Sequence, residues 1–398
     1  MSGSVIISGA RTPIGKLSGA LAGFSAMELG GFAIAEALRR GQVRPDQVDY
    51  VFMGQVLQAG QGQITARQAA VKAEIPMTVP ATTINKVCLS GLNTIFLADQ
   101  LINAGEADIV VAGGMESMSQ APHLLPKARA GYRLGDGKLI DALMYDGLWD
   151  AFDDVAMGAG TGKYARARPE LTRERQDALA AGSHERAATA IKDGRFATEI
   201  VAVTVPQRGR GKSAEPLVVD TDEGVRPGTT PESLGGLKPA FDPDGTITAG
   251  NASQISDGAA AVIVASPAAA ERLGVVPLGE VVGYGQVAGP DPSLLSQPSR
   301  AITRALERAG VDLAQLDLFE INEAFAAVAL ASMYDLGLSD EVVNVNGGAI
   351  ALGHPIGMSG TRLALTLLFE LGRRGGGMGA AALCGGGGQG DAMLLRTL

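Results

Sequence analysis

The chain is 398 residues long, enough at about 100 to 200 residues per domain for two or three domains with cores of their own. Apolar residues make up 46% and charged residues 19%, against about 25% charged in an average globular protein, which excludes intrinsic disorder; 55 glycines with no three-residue period and only 19 prolines exclude a collagen-like chain. A net charge of −9 without a long basic run removes the electrostatic footprint of a nucleic-acid or anionic-membrane surface, leaving a small molecule as the expected partner.

Two cysteines, Cys88 and Cys384, and three histidines, His123, His184 and His354, show no ligand-spaced cluster, so no metal site is expected. So few cysteines point to a reducing compartment without a disulfide framework. The start carries only the short apolar run Val5-Ile6-Ile7, unlike an export signal, and no segment reaches the ~18 to 20 apolar residues of a membrane span. The expected location is the cytoplasm.

In chain order, residues 33–54 align without gaps on 301–322. Ala33, Ile34, Ala37, Leu38, Arg40, Val43, Gln47 and Asp49 match Ala301, Ile302, Ala305, Leu306, Arg308, Val311, Gln315 and Asp317. Each match is followed by a turn, a long helix, an apolar strand and a small-residue turn. Gly91 to Ala104 reads as a helix apolar around most of its circumference, hence buried between layers. Ile109 to Ala112 reads as a strand covered on both faces and ending at Gly113-Gly114; Ala380 to Leu383 reads likewise, ending at Cys384-Gly385. Residues 119–249 are richer in charge and proline and read as an inserted, more solvated subdomain, its Arg208, Arg210 and Lys212 as a solvated loop. The remainder divides into duplicated α/β halves, 1–118 with 250–275, and 276–398, with sites expected beyond the carboxyl ends of strands.

Cys88 lies directly ahead of the buried helix, where the helix dipole is expected to favour thiolate; a small buried hydrophobe is the alternative. His354 sits among glycines and before Pro355, as a base or a satisfied core residue. Cys384 opens Cys384-Gly385-Gly386-Gly387-Gly388-Gln389-Gly390. Too little chain follows for a dinucleotide fold, so the run reads as free backbone N–H groups for an oxyanion or as a tight hairpin turn. Asn322 and Glu323 follow the strand-like Leu318-Phe319-Glu320-Ile321, placed to orient water or polarise a carbonyl, or else to cap a helix.

These four segments, with Ala10-Arg11-Thr12-Pro13-Ile14-Gly15, Gly113-Gly114-Met115-Glu116-Ser117-Met118 and Thr248-Ala249-Gly250-Asn251-Ala252-Ser253, resemble the thiolase family over essentially the whole chain. Asp146-Gly147-Leu148-Trp149-Asp150-Ala151-Phe152 resembles its short bacterial acetoacetyl-CoA branch. The resemblance implies an α/β thiolase fold of two βαβαβαββ halves in αβαβα layers with an inserted loop subdomain. It also implies a reversible Claisen condensation of two acetyl-CoA to acetoacetyl-CoA, with coenzyme A as substrate and acyl carrier and no permanently bound cofactor. Cys88 would be the nucleophile, His354 its base and Cys384 the second base. One oxyanion hole would use His354 and a water held by Asn322, the other the N–H groups of Cys88 and Gly386. Ser253, Leu148, Met157, Ala324 and Phe325 would line the pantetheine arm, with Arg226 nearer the nucleotide, in a homotetramer built as a dimer of dimers. The sequence departs from the family at Ala156-Met157-Gly158-Ala159-Gly160-Thr161-Gly162, where many relatives begin with histidine, and at Leu294-Leu295-Ser296-Gln297-Pro298. A degradative 3-ketoacyl-CoA thiolase for longer chains, a non-catalytic CoA-binding relative and a dithiol redox protein are the competing readings.

Overall fold

The structure, a computed structural model, describes residues 3–206 and 215–398; Arg208, Arg210 and Lys212 lie outside them. The first half runs β1 (Val5–Arg11), α1 (Ala26–Arg40), β2 (Tyr50–Gly54), α2 (Thr65–Lys72), β3 (Ala81–Ile84), α3 (Ser90–Asn103) and β4 (Ile109–Ser117). After a stretch that includes α4 (Arg173–Lys192), it closes with β5 (Ser256–Ala265). The second half runs β6 (Gly279–Ala288), α5 (Gln297–Ala309), β7 (Leu318–Ile321), α6 (Ala326–Leu336), α7 (Ser359–Arg373), β8 (Met378–Gly385) and β9 (Gln389–Arg396).

One mixed sheet carries these strands in the order β7-β8-β9-β6-β1-β5-β4-β2-β3. It is joined at its middle by a short antiparallel contact, Val5 with Glu280 and Ile6 with Gly279. Outward from that seam the halves repeat each other. β5 and β9 run antiparallel to their neighbours, β4 with β2 and β8 with β7 are parallel, and β3 has its counterpart in a parallel bridge of Val343 to Phe319. The third strand of the second half has thus shrunk to a single bridge.

The alternation of side chains builds five layers. Val111 of β4 faces α1 and α2 with Ala33, Ile34, Ala37, Ala66 and Ala69, while Val110 and Ala112 face α3. In the second half Ala380 and Ala382 face α5 and α6, while Ala381 and Leu383 face inward. Leu92 and Ile95 of α3 and Leu363 and Leu367 of α7 fill the central layer between the two halves of the sheet. Continuous apolar runs are therefore strands buried on both faces.

The repeat identities have matching physical roles. Gln47 and Gln315 each accept, at 2.9 Å, the backbone N–H three residues back, closing a short 3₁₀ turn. Asp49 and Asp317 each accept the N–H that opens the neighbouring strand, Ile109 at 2.9 Å and Met378 at 3.0 Å.

One expectation is corrected. β4 does not end at Gly113-Gly114 but continues through them to Ser117. The glycines thin the strand so that other chain segments pack directly on it: a Cβ at Gly114 would overlap the Gly357 carbonyl oxygen.

Candidate active site

The turn ahead of α3 holds Cys88. Asn85 Oδ1 accepts the Val87 N–H at 3.0 Å, and Ser90 Oγ accepts the Lys86 N–H at 2.8 Å while donating to Val87 O at 2.6 Å. These bonds hold Val87 at φ +51°, a left-handed conformation costly for a β-branched residue and found mostly at functional sites. Lys86 Nζ reaches both oxygens of buried Asp391, at 2.8 and 3.0 Å, and the Tyr284 hydroxyl donates to the same carboxylate at 2.6 Å. Asp391 pairs with Leu383 in the β8–β9 ladder, one position from Cys384 with Gly390. The ion pair therefore ties the turn of the first cysteine to the hairpin of the second. The residues flanking Cys88 close the contact, Leu89 packing over Gly385 and the Val87 methyls over Gly386.

Gly386 to Gly388 form the loop of that hairpin, with Gly387 and Gly388 at φ +78° and +65°. The glycine run is a tight turn and, at the same time, a source of bare N–H groups. Among the described residues, neither the Cys88 nor the Gly386 N–H donates to a backbone carbonyl.

His354 is 5% exposed. Its Nδ1 lies 2.5 Å from Ser359 Oγ and its Nε2 lies 3.3 Å from Asn322 Nδ2. Asn322 follows β7, and its N–H bonds Ala382 O at 2.9 Å. Asn344 holds the preceding residue on both sides, accepting from the Ile321 N–H at 2.9 Å and donating to Ile321 O at 2.8 Å. The helix-capping alternative is excluded, since the residue that caps α6 is Phe325. Among the described residues Asn322 Oδ1 has no hydrogen-bond partner although it is buried, and a buried acceptor costs free energy unless a donor reaches it.

The His354 turn and the Cys88 turn meet through Gly357. Its N–H donates to Glu116 Oε2 at 3.0 Å, while a Cβ at Gly54, Gly91 or Gly114 would press into its carbonyl oxygen. Glu116, fully buried, also accepts the N–H groups of Val56 and Leu57 at 3.0 and 3.2 Å. Burial pushes its carboxyl up to about 7 against those three donors, the Asp257 charge adding to the rise.

The residues expected along the coenzyme arm fall into three places. Leu148 receives the Met157 N–H at 2.9 Å and packs on the apolar cluster of Val56, Leu57 and Ile356 that also touches Cys88. Ala324 O receives the Ser253 N–H at 3.0 Å, and Phe325 bridges Ala252. Arg226 donates its backbone N–H to His184 Nδ1 on α4 at 3.1 Å. A surface cavity of about 700 Å³, lined by Arg195, Phe369 and Glu370, contains none of these side chains.

The electrostatics correct the expectation of a ready thiolate. The sulfur sits ahead of the cap Leu89, half-buried among apolar side chains. Burial pushes the Cys88 thiol up to about 12, and the nearby Glu116 carboxylate raises it further. Desolvation of the charged form outweighs the helix dipole. Cys384 is pushed up by burial and then by the neighbouring Cys88 sulfur. Burial, with the Arg362 charge, pushes His354 down to about 3. Burial thus favours the neutral forms of both thiols and of the imidazole. Alkylation of Cys88 by iodoacetamide, followed by peptide mass spectrometry, is expected to accelerate about tenfold per pH unit from pH 7 to 9. A rate already level at pH 7 would mean a preformed thiolate.

The thiolase N-terminal domain model matches residues 4–268 and the thiolase C-terminal domain model residues 275–397. The chain belongs to the thiolase family. It is 59% identical over 98% of its length to the whole of a probable acetyl-CoA acetyltransferase of Mycolicibacterium smegmatis. It is 58% identical over its full length to the whole of a probable acetyl-CoA acetyltransferase of Mycobacterium tuberculosis. To an acetyl-CoA acetyltransferase of Cupriavidus necator it is 52% identical, again over the full length of both. The duplicated halves and layers described above are thus those of a thiolase. Sequence reading assigned no role to Glu116, Lys86, Ser359 or Asp391 in this thiolase site. Their partners are up to 305 positions away, although Lys86 and Glu116 both stood inside motifs.

Proposed function

We propose that the chain catalyses the reversible Claisen condensation of two acetyl-CoA to acetoacetyl-CoA and CoA, through an acetyl group carried on Cys88. The packing of the Cys88 turn on the Cys384 hairpin and against Gly357, three residues after the Asn322-paired His354, supports this reading, as do the names of its full-length relatives. Cys88 Sγ attacks the thioester carbonyl as its proton passes to His354, and that proton leaves on the departing CoA sulfur. Cys384 then passes its own proton to His354, neutral again after CoA has left, and the resulting thiolate takes a proton from the methyl carbon of a second acetyl-CoA. The carbanion attacks the acetyl carbon, expelling the Cys88 sulfur, which recovers the proton held by His354, so that both thiols and the imidazole return to their starting forms.

Both stages place negative charge on a thioester oxygen. The N–H groups of Cys88 and Gly386 serve one oxyanion, and His354 with a donor held by Asn322 Oδ1 serves the other, each worth about 3 kcal/mol in the transition state. Leu148, Met157, Ser253, Ala324 and Phe325 hold the pantetheine arm and Arg226 the nucleotide end. Coenzyme A is substrate and carrier, and the chemistry uses no resident cofactor.

The test combines exchange of labelled CoA into acetyl-CoA with thiolysis of acetoacetyl-CoA against a medium-chain 3-ketoacyl-CoA. Exchange together with preference for acetoacetyl-CoA is expected. Absence of exchange overturns the acyl-enzyme reading, and preference for the longer chain overturns the substrate assignment.

A further inference from the structure

Ser359 opens α7 and is 2% exposed. Its Oγ lies 2.9 Å from Pro355 O and 2.5 Å from His354 Nδ1. Its backbone N–H also bonds Pro355 O, at 3.1 Å, so both of its donors are anchored to that carbonyl. A hydroxyl has one proton and otherwise only lone pairs, and a carbonyl oxygen only accepts. The Ser359 proton is therefore committed to Pro355 O, and Oγ faces Nδ1 as an acceptor.

We infer that Ser359 is a positioning residue that holds His354 in the Nδ1–H tautomer, leaving Nε2 as the unprotonated nitrogen that receives the Cys88 proton. A neutral imidazole has one N–H, and burial with the Arg362 charge keeps this one neutral. The contact on the far side agrees: Asn322 presents its Nδ2, a donor, to Nε2 at 3.3 Å. The opposite tautomer would set the Ser359 oxygen against Pro355 O at 2.9 Å with no proton between them. It would also face the Asn322 amide with a second donor. Once Nε2 is protonated, the Nδ1–H to Ser359 to Pro355 chain stays in place and stabilises the imidazolium. The tautomer and the Asn322 amide are linked, since a flipped amide would carry the orphaned oxygen to Nε2.

The catalytic part of this inference rests on the acyl-transfer reading, whereas the tautomer is measured without substrate. The chain has three histidines, so ¹⁵N-histidine labelling gives three imidazoles, and His354→Asn identifies the signal of interest. Wild type is expected to show a protonated Nδ1 and an unprotonated Nε2 for His354. Ser359→Ala is expected to lose that tautomer and to slow acetylation of Cys88 about 10²-fold or more. Ser359→Thr, which keeps the hydroxyl, is expected to restore the tautomer and most of the rate. An Nε2–H signal in wild type, or Ser359→Ala with tautomer and rate unchanged, overturns the inference. A wild type with the Nδ1–H tautomer that never takes an acetyl group overturns the acyl-transfer reading alone.

Discussion

Cys88→Ser is expected to leave no acetyl-enzyme after exposure to acetyl-CoA, with condensation lowered by ~10⁴-fold or more. Cys384→Ser is expected to be acetylated on Cys88 in full and then to stall. The proposed division of labour requires this asymmetry, although the two sulfurs are close enough for Cys88 to act on Cys384 electrostatically. Cys384 is buried with Cys88 half-buried beside it, and each is pushed toward the neutral thiol by desolvation. Only Cys88 adjoins the turn that Gly357 links to the His354 side; Cys384 lies at the end of β8, opposite Gly390 in a hairpin. Intact-mass spectrometry after a brief pulse of acetyl-CoA separates the variants, because it reports the first half-reaction without the second. Equal and poor acetylation of both would remove the assigned roles. Ready formation of a reversible disulfide with no acetyl transfer would favour a dithiol redox protein instead.

The fold was legible where residues repeat a physical task. Gln47 with Gln315 and Asp49 with Asp317 appear as identities 268 positions apart because each pair closes the same 3₁₀ turn or opens the same strand. The apolar runs at 109–112 and 380–383 announced strands covered on both faces, since alternate residues of each belong to different core layers. Four site segments were legible from residue type, as reactive side chains beside glycines. The supports were not. Ser359 is an ordinary serine at a helix start, and Lys86 and Asp391 are ordinary charges until folding pairs them. The thiol's proton affinity was misjudged for a related reason. A helix start is visible in sequence, but the apolar neighbours Val56, Leu57 and Ile356, which outweigh the dipole, come from other segments. The continuation of β4 past Gly113-Gly114 was hidden in the same way, because glycines that look like a turn are also what a strand needs when another backbone lies on it.

That close approach gives the second large effect. Gly114→Ala is expected to destabilise the chain by up to about 3 kcal/mol in urea unfolding and to slow acetylation by ~10²-fold. The added methyl would overlap the Gly357 carbonyl oxygen and come within 2.8 Å of its carbonyl carbon and of Met358 Cα. These are backbone atoms, so no side-chain rotation relieves the overlap. Gly357 cannot withdraw freely either, since its N–H is held by Glu116 at 3.0 Å and the space beside its Cα is closed, a Cβ built there coming within 2.8 Å of Met115 O and 2.9 Å of Gln55 Cα. The strain must therefore move the turn from Pro355 to Met358, which carries His354 at its start and Ser359 at its end. A shift of about 1 Å in a base suffices for a 10²-fold loss, because proton transfer requires hydrogen-bond reach. Gly23→Ala is the control: a Cβ there meets nothing within 4 Å, and stability and rate should both stay at wild-type values. If Gly114→Ala also matched wild type in both measurements, the two turns would not be mechanically joined through Gly357, and the geometry of His354 would have to be set elsewhere.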